Sequence, residues 1–364
     1  MNVAVLGGGN GAFAAAGDLA LRGHRVMLCE APAFFPHLRE VRGSGTLHVE
    51  ALPTTGLPSG RAQLALVTDD AAAALREAQV VLVIVPSYAM GFFADFVAPA
   101  LRSHHLVLLM PGNLWGAYRA AARVQATSAP AGVLVGEAEC LIYAARKTGD
   151  GGVTIRGYKK HLGVAAANAG RTAELHERLL PLYPDLRRLD SVLQSGLNNV
   201  NPFFHPVILL SNLGLVGAPQ PRRFYVEGVS DTVARLIERL DGERLALGST
   251  LGVALPSLRE LLLLWYAHEG AAGDSLHAVI QSVPAYRHSL FPLELATTRY
   301  LLEDIPFGLV PFTQLARRAG VPAPLAAAVV GFAVQVAASA AANLPVPHEV
   351  DLEGFLRTVL GRGR

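Results

Sequence analysis

The sequence predicts an α/β domain built on a doubly wound, mostly parallel sheet, followed by an all-helical domain. Three observations predict it. Short, continuous apolar runs alternate with helical stretches through the first half of the chain, which is the rhythm of strand–helix–strand units. A glycine-rich turn joins the first apolar run to the first helical stretch. After about residue 190 the β-like runs stop and long helical stretches take over. The boundary is accordingly placed at 190, with an N-terminal domain over 1–190 and a C-terminal helical domain over 191–364, and 364 residues suit two domains.

The elements follow in order. "VAVLG" (3–7), "RVMLCE" (25–30), "VVLVIVP" (80–86) and "LVLLMPG" (106–112) are short apolar runs that end in turn chemistry. Such runs suit parallel strands buried on both faces. "AFAAAGDLALRG", "AAAALREAQ" and "FFADFVAPALRS" lie between them as helices. The segment 132–167 reads as further strands, with "TGDGG" as a hairpin turn. In the second half, "SVLQSGLNNVNPFFHPVILLSNLG", "TVARLIERLDGERLALGSTLG", "SLRELLLLWYAHEG" and "PLAAAVVGFAVQVAASAA" read as helices separated by joints rich in proline and glycine.

Composition narrows the partners. Apolar residues make up 51% and charged residues 16%, so the chain has a core to bury. A net charge of +2 with no long basic run argues against nucleic acid or an anionic membrane as partner. Cys29 and Cys140 sit in apolar runs with neither disulfide-framework nor metal-ligand spacing. They read as buried thiols in a reducing, cytoplasmic compartment, and no metal is expected. The N-terminal run lacks a basic n-region and is broken at once by glycines, unlike a signal peptide. The Ala-rich stretch 325–343 reads as a buried helix rather than a membrane span, and suits a homodimer face equally well.

The turn "GGGNGA" carries the first chemistry. Gly7, Gly9 and Ala12 match G-x-G-x-x-A between a strand and a helix. The first glycine permits the tight turn, the second lets backbone meet a pyrophosphate, and Ala12 lets helix and strand pack closely. With Asn10 and Gly11 this turn presents helix-start N–H groups to phosphates. Glu30 ends the second strand at the offset where a carboxylate accepts from a ribose 2′-hydroxyl. These residues predict a Rossmann-type dinucleotide site that favours NAD, with NADP open because Arg39 and Arg42 lie near enough to fold back. Pro86 and Ser87, and Gly112 and Asn113, end later strands and are assigned to the nicotinamide side of the cofactor. The alternative for these turns is an ordinary α/β strand end.

The reaction needs a proton donor. Dehydrogenases that pair this fold with a helical domain often use lysine, but Lys147, Lys159 and Lys160 are the chain's three lysines and all precede the helical domain. Histidine is the next candidate. Of 12 histidines, His205 differs from the rest, because it lies in "NNVNPFFHP", a polar and proline-rich cluster opening a long apolar helix. It reads as a catalyst or as a capping or core histidine. Arg299 and Asp304 stand in "RYLLEDIPFGLVP". Five residues apart on a continuous helix they diverge, but Pro306 biases the helix to end or kink near Asp304. A kink can bring a guanidinium for a carboxylate and a carboxylate for an imidazole around one pocket. The alternative is a surface Arg299–Glu303 pair, with Asp304 ending a helix.

"GGGNGA", "NNVNPFFHP" and "RYLLEDIPFGLVP", in this order and over essentially the whole chain, resemble the opine dehydrogenases, the group of octopine, nopaline and N-(carboxyalkyl)amino-acid dehydrogenases. The resemblance implies NAD(P)H-dependent reductive condensation of a pyruvate-like α-keto acid with the amino group of an amino acid. It implies His205 as proton donor and acceptor, Asp304 as its partner and Arg299 as carboxylate anchor. Asn198, Asn199 and Asn201 would shape the site. Trp265, Tyr266 and Tyr286 are candidates to line the amino-acid pocket, although "LLLLWY" reads equally as a core stripe. Two readings stand beside this one: a simple 2-keto or 2-hydroxy acid dehydrogenase on the same scaffold, and a non-catalytic NAD-binding sensor.

Overall fold

A computed structural model describes residues 1–127, 132–345 and 350–360. The chain divides into two units: Met1–Ser195 with Glu353–Arg364, and Gly196–Leu352. The C-terminal segment thus returns to the first unit, where Phe355 packs edge-on against Trp115 and Tyr118. The helix 352–360 had no signal of its own in the sequence reading.

Twelve strands are described: β1 (Asn2–Leu6), β2 (Arg25–Cys29), β3 (Thr46–Ala51), β4 (Gly60–Gln63), β5 (Leu66–Thr68), β6 (Val80–Val83), β7 (Leu106–Leu109), β8 (Leu134–Ala138), β9 (Tyr143–Lys147), β10 (Gly152–Tyr158), β11 (Gly163–Ala166) and β12 (Arg187–Arg188). Eight form one sheet in the order β12-β11-β8-β7-β6-β1-β2-β5. Pairing is parallel from β5 through β8, and β11 turns antiparallel against β8. The order reverses beside β1, so the ends of β1, β2 and β6 open a crevice of the kind in which α/β sheets hold ligands. β1, β6 and β7 are buried along nearly their whole length, as their unbroken apolar runs require.

A second sheet, β4-β3-β10-β9, covers the outside of the helix Asn10–Leu21. Close approach here depends on Gly17, where a Cβ would fall 2.4 Å from Val49 Cγ2. The hairpin β9–β10 turns at Thr148–Gly151, closed by Thr148 N–H donating to Gly152 O, with Gly149 at φ +71°. β3 and β4 have no continuous apolar run to announce them, β4 being "GRAQ" with one buried side chain, and β5 is only three residues long at the end of the short run "LALV".

The second unit is helical. Its long helix Asp231–Leu251 starts on a Ser230 cap and ends at Gly252 in the left-handed region. That helix packs against Asn201–Leu210, Leu276–Ser282 and Pro324–Ser339. Arg244, fully buried, pairs with Asp241 and donates to Leu197 O at 3.1 Å, which fixes the approach to the helix bearing His205. Leu258–Tyr266 starts on a capping box of Ser257 and Glu260. Trp265 and Tyr266 on it are wholly buried. None of the described helices is long and apolar enough to cross a membrane. Pro324–Ser339 buries Ala326, Ala333, Val336 and Ala337 but leaves Phe332 50% exposed, so this helix covers a core on one face only.

Candidate active site

The helix Asn201–Leu210 places His205. Asn201 N–H donates to Asn199 Oδ1 at 3.2 Å, and Pro202 occupies the second position, where a missing N–H costs nothing. Phe203, Phe204, Val207, Ile208 and Leu209 are buried, while His205 stays partly open, its side chain 12% exposed. Pro206 lies inside the helix. Asn212, just beyond, donates to both Ile208 O and Gly228 O. That clamp ties this helix to the short helix Phe224–Gly228, which carries Tyr225.

Asp304 comes from a distorted helix. Arg299–Leu302 is one α-helical turn capped by Thr298. A π-helical turn follows over Ile305–Leu309, then the α-helix Val310–Arg318. Asp304 N–H donates to Arg299 O at 3.2 Å and Leu309 N–H to Asp304 O at 3.0 Å, both five residues apart. The sequence anticipated a break or kink near Asp304. The α-helix does end at Leu302, where Glu303 leaves helical geometry at φ −121°, and the π turn that follows carries Asp304 toward His205. Gly308 packs on Pro202, where a Cβ would lie 2.3 Å from Pro202 Cγ.

His205 therefore stands between two partners. Its Nδ1 is 2.7 Å from Asp304 Oδ2, and its Nε2 is 2.7 Å from the Tyr225 hydroxyl. A carboxylate on Nδ1 fixes the proton there, so in the neutral ring Nε2 accepts from the phenol. Tyr300 lies over the imidazole at 4.4 Å and Tyr286 stacks on Tyr225 at 3.9 Å. Tyr266 packs against Tyr286 at 5.9 Å, extending the aromatic series away from the histidine. Burial holds the Asp304 carboxyl above its ordinary value and His205 opposes that shift; the Tyr225 hydroxyl is pushed up by burial too.

Arg299 forms its close pair with Glu303, at 2.5 Å, and its side chain is 53% exposed while Glu303 is 3% exposed. Two buried neighbouring carboxylates thus each meet a different side chain, Asp304 the imidazole of His205 and Glu303 the guanidinium of Arg299. Asn201 sits at the helix start, and Trp265 is buried without exposure. Tyr225 and Tyr300 were absent from the sequence reading. Tyr225 is 20 residues from His205, on a five-residue helix with no periodicity to mark it.

The first unit carries the glycine turn. Gly7 has φ +114°, and a Cβ there would fall 2.6 Å from Ile84 O. Over Gly9 the space is open, with nothing within 4 Å of a built Cβ, and Gly9 precedes the helix Asn10–Leu21. A Cβ at Gly11 would meet Ile84 and Leu141, and Ala12 is fully buried. This cradle fits a pyrophosphate. Asn10 is engaged structurally: its Oδ1 accepts from Lys147 N–H at 2.9 Å. Glu30, 7% exposed, accepts from Ala31 N–H at 2.8 Å, and burial raises its carboxyl. Pro86 precedes the turn Ser87–Ala89, and Asn113 Nδ2 donates to Ser87 Oγ, which joins the loops after β6 and β7. A Cβ at Gly112 would collide with the Glu137 carboxylate at 1.9 Å, so that loop lies directly on β8.

Comparison with known proteins gives concordant results. Residues 188–337 match the family described as "NAD/NADP octopine/nopaline dehydrogenase, alpha-helical domain". The opine dehydrogenase of Arthrobacter sp. (strain 1C) is 32% identical over 327 residues, spanning 90% of this chain and 88% of that protein. Among solved structures, octopine dehydrogenase in complex with NADH and agmatine aligns with a TM-score of 0.73 at 22% identity, covering 98% of this chain and 94% of the other. Yersinopine dehydrogenase with NADP+ bound aligns with a TM-score of 0.70 at 16% identity, covering 99% and 98%.

Proposed function

This chain belongs to the opine dehydrogenase family, and from that premise we propose that it is an NAD(P)H-dependent oxidoreductase that condenses an α-keto acid with the amino group of an amino acid. The hydrogen-bonded set Asp304–His205–Tyr225 is the observation that carries the reading. A carboxylate on Nδ1 fixes the tautomer and stabilises the imidazolium, which suits a histidine that takes up and releases a proton.

The net reaction takes keto acid, amino acid, NADH and a proton to the N-(carboxyalkyl)amino acid, NAD+ and water. Bound dinucleotide supplies the hydride that reduces the imine carbon. Gly7, Gly9, Gly11 and Ala12 would hold its pyrophosphate and Glu30 its ribose, with Pro86, Ser87, Gly112 and Asn113 on the nicotinamide side. Arg299, its side chain 53% exposed, anchors a substrate carboxylate, which a planar guanidinium can bond bidentately. His205 removes a proton from the incoming ammonium, so the amine can attack the keto carbon. The same Nε2–H then protonates the departing hydroxyl, which leaves as water and yields the imine. Asp304 stabilises the imidazolium between these transfers. Tyr225 holds Nε2 in line until substrate takes its place. Asn201 and Tyr286 are assigned to shaping the amino-acid pocket, with Trp265 and Tyr266, wholly buried as the core-stripe alternative has them, backing it from behind.

His205→Ala tests the assignment. NADH oxidation with pyruvate and an amino-acid panel is expected to fall by roughly 10²–10⁴-fold while NADH affinity is kept. Near-full turnover in the variant would remove His205 from the chemistry, and amine-independent turnover by the wild type would favour a simple keto acid dehydrogenase. With Tyr225→Phe, the pH profile of kcat/KM is expected to move; an unmoved profile leaves the phenol a packing role only.

The same reading extends to site and assembly. Two buried thiols, Cys29 and Cys140, suit a reducing cytoplasm. A homodimer is read from the helix Pro324–Ser339, where half-exposed Phe332 forms the rim of a groove of about 360 Å³ that Leu213, Leu295, Val336 and Ala340 also line. A knob adjacent to a hole on one face is self-complementary about a two-fold axis.

A further inference from the structure

We propose that Lys147, which projects from the second sheet, is a phosphate-binding residue of the dinucleotide site. The inference rests on the reading that the glycine cradle holds NAD(P)H. It adds a charged residue to a site whose recognised parts are backbone N–H groups and a carboxylate.

Lys147 ends β9, and its backbone N–H is fixed by Asn10 Oδ1, on the first residue of the cradle helix. From that anchor the side chain runs back over the glycine turn. Its Nζ donates to Gly8 O at 3.3 Å and lies 3.9 Å from the centre of the Phe13 ring. Gly8 is also where the turn meets Glu30, since a Cβ there would fall 2.8 Å from Glu30 Oε2. The ammonium therefore stands at the junction of the pyrophosphate cradle and the ribose-binding strand end.

Its present partners do not account for that placement. The carboxylate pairing is with Asp150 at 3.8 Å, and Asp150 is 61% exposed, so this pair contributes little. A carbonyl and a ring face complete the surroundings. Burial lowers the affinity of the amine for its proton, and Asp150 and Glu30 only partly offset this. A phosphate arriving over Gly9 would provide a full opposing charge within a short swing of a flexible four-carbon stem. With 19% of the side chain exposed, the ammonium remains accessible.

Two phosphates share this chemistry, the pyrophosphate of either dinucleotide and the 2′-phosphate of NADPH. The experiment measures dissociation constants of NADH and NADPH, by nicotinamide fluorescence, for wild type, Lys147→Met and Lys147→Arg at low and high salt. Lys147→Met keeps an apolar stem over Phe13 while removing the charge. A tenfold or greater loss is expected, with a weaker salt dependence, and Lys147→Arg is expected to recover most of it. Equal losses for both dinucleotides place the ammonium on the pyrophosphate, and a loss confined to NADPH places it on the 2′-phosphate. Dissociation constants within twofold of wild type for both, in a Lys147→Met protein with an unchanged thermal melt, overturn the proposal. A wild type that binds neither dinucleotide overturns the cradle reading beneath it as well.

Discussion

Glu137, at the end of β8, is wholly buried beneath the Gly112 loop and accepts from Ala117 N–H at 2.8 Å. Burial pushes its carboxyl up to about 8 from an ordinary 4.5. Between those values the folded chain keeps a proton that the unfolded chain has lost. Its contribution to stability is therefore complete below about pH 4.5 and falls as pH rises toward 8, by an amount on the order of a few kcal/mol. Glu137→Gln keeps the acceptor and removes the titration. Melting temperatures at pH 5 and pH 8.5 are expected to differ less in the variant than in wild type; equal differences would clear Glu137 of responsibility. Individual residues varied in how far the sequence exposed them. Gly7 and Gly9 stood out because a cradle needs glycine in a fixed pattern. Asn10 belonged to that pattern, yet its side chain bonds to a backbone 137 residues away. Tyr225 and Glu137 carried no local signal, since each acquires its meaning from groups that only folding brings near.

Among elements, the π-helical turn Ile305–Leu309 decides whether Asp304 faces His205. Pro306 gave notice of an irregularity, because it disfavours α geometry in the preceding residue. The course of the π turn depends on Gly308 against Pro202, a contact in three dimensions. Gly308→Ala is expected to cost about 1–3 kcal/mol by overpacking, in a thermal or urea melt. It should also lower kcat more than it raises the KM for NADH, because it displaces the dyad and leaves the cradle alone. Wild-type stability together with wild-type kcat would show that this packing does not set the dyad. The strands β3, β4 and β5 were missed for a related reason. At three to six residues, with polar side chains interleaved, their periodicity is too short to separate from loop. The long helices were read directly, because caps such as Ser230 and Ser257 and runs of apolar residues repeat the same message over many positions.

The molecule as a whole carries an expectation of its own. If the helix Pro324–Ser339 pairs with a second copy, light scattering is expected to give twice the chain mass. Phe332→Glu, which places a charge on the exposed knob, should then give the single-chain mass with activity retained; a wild type of single-chain mass at micromolar concentration disposes of the dimer. The sequence by itself determined the succession of an α/β and a helical half, the glycine cradle with Glu30 just past the second strand, and the three motifs that carry the resemblance to the family. Those features are local or periodic, and local chemistry writes them into consecutive residues. Tertiary structure alone decided that Asp304 holds Nδ1 of His205 from 99 residues away, that Tyr225 holds Nε2 and that Lys147 leans over the glycine turn. Each of these is a contact between distant segments, set by packing and by the need to pair buried charges, and neither condition has a signature along the chain.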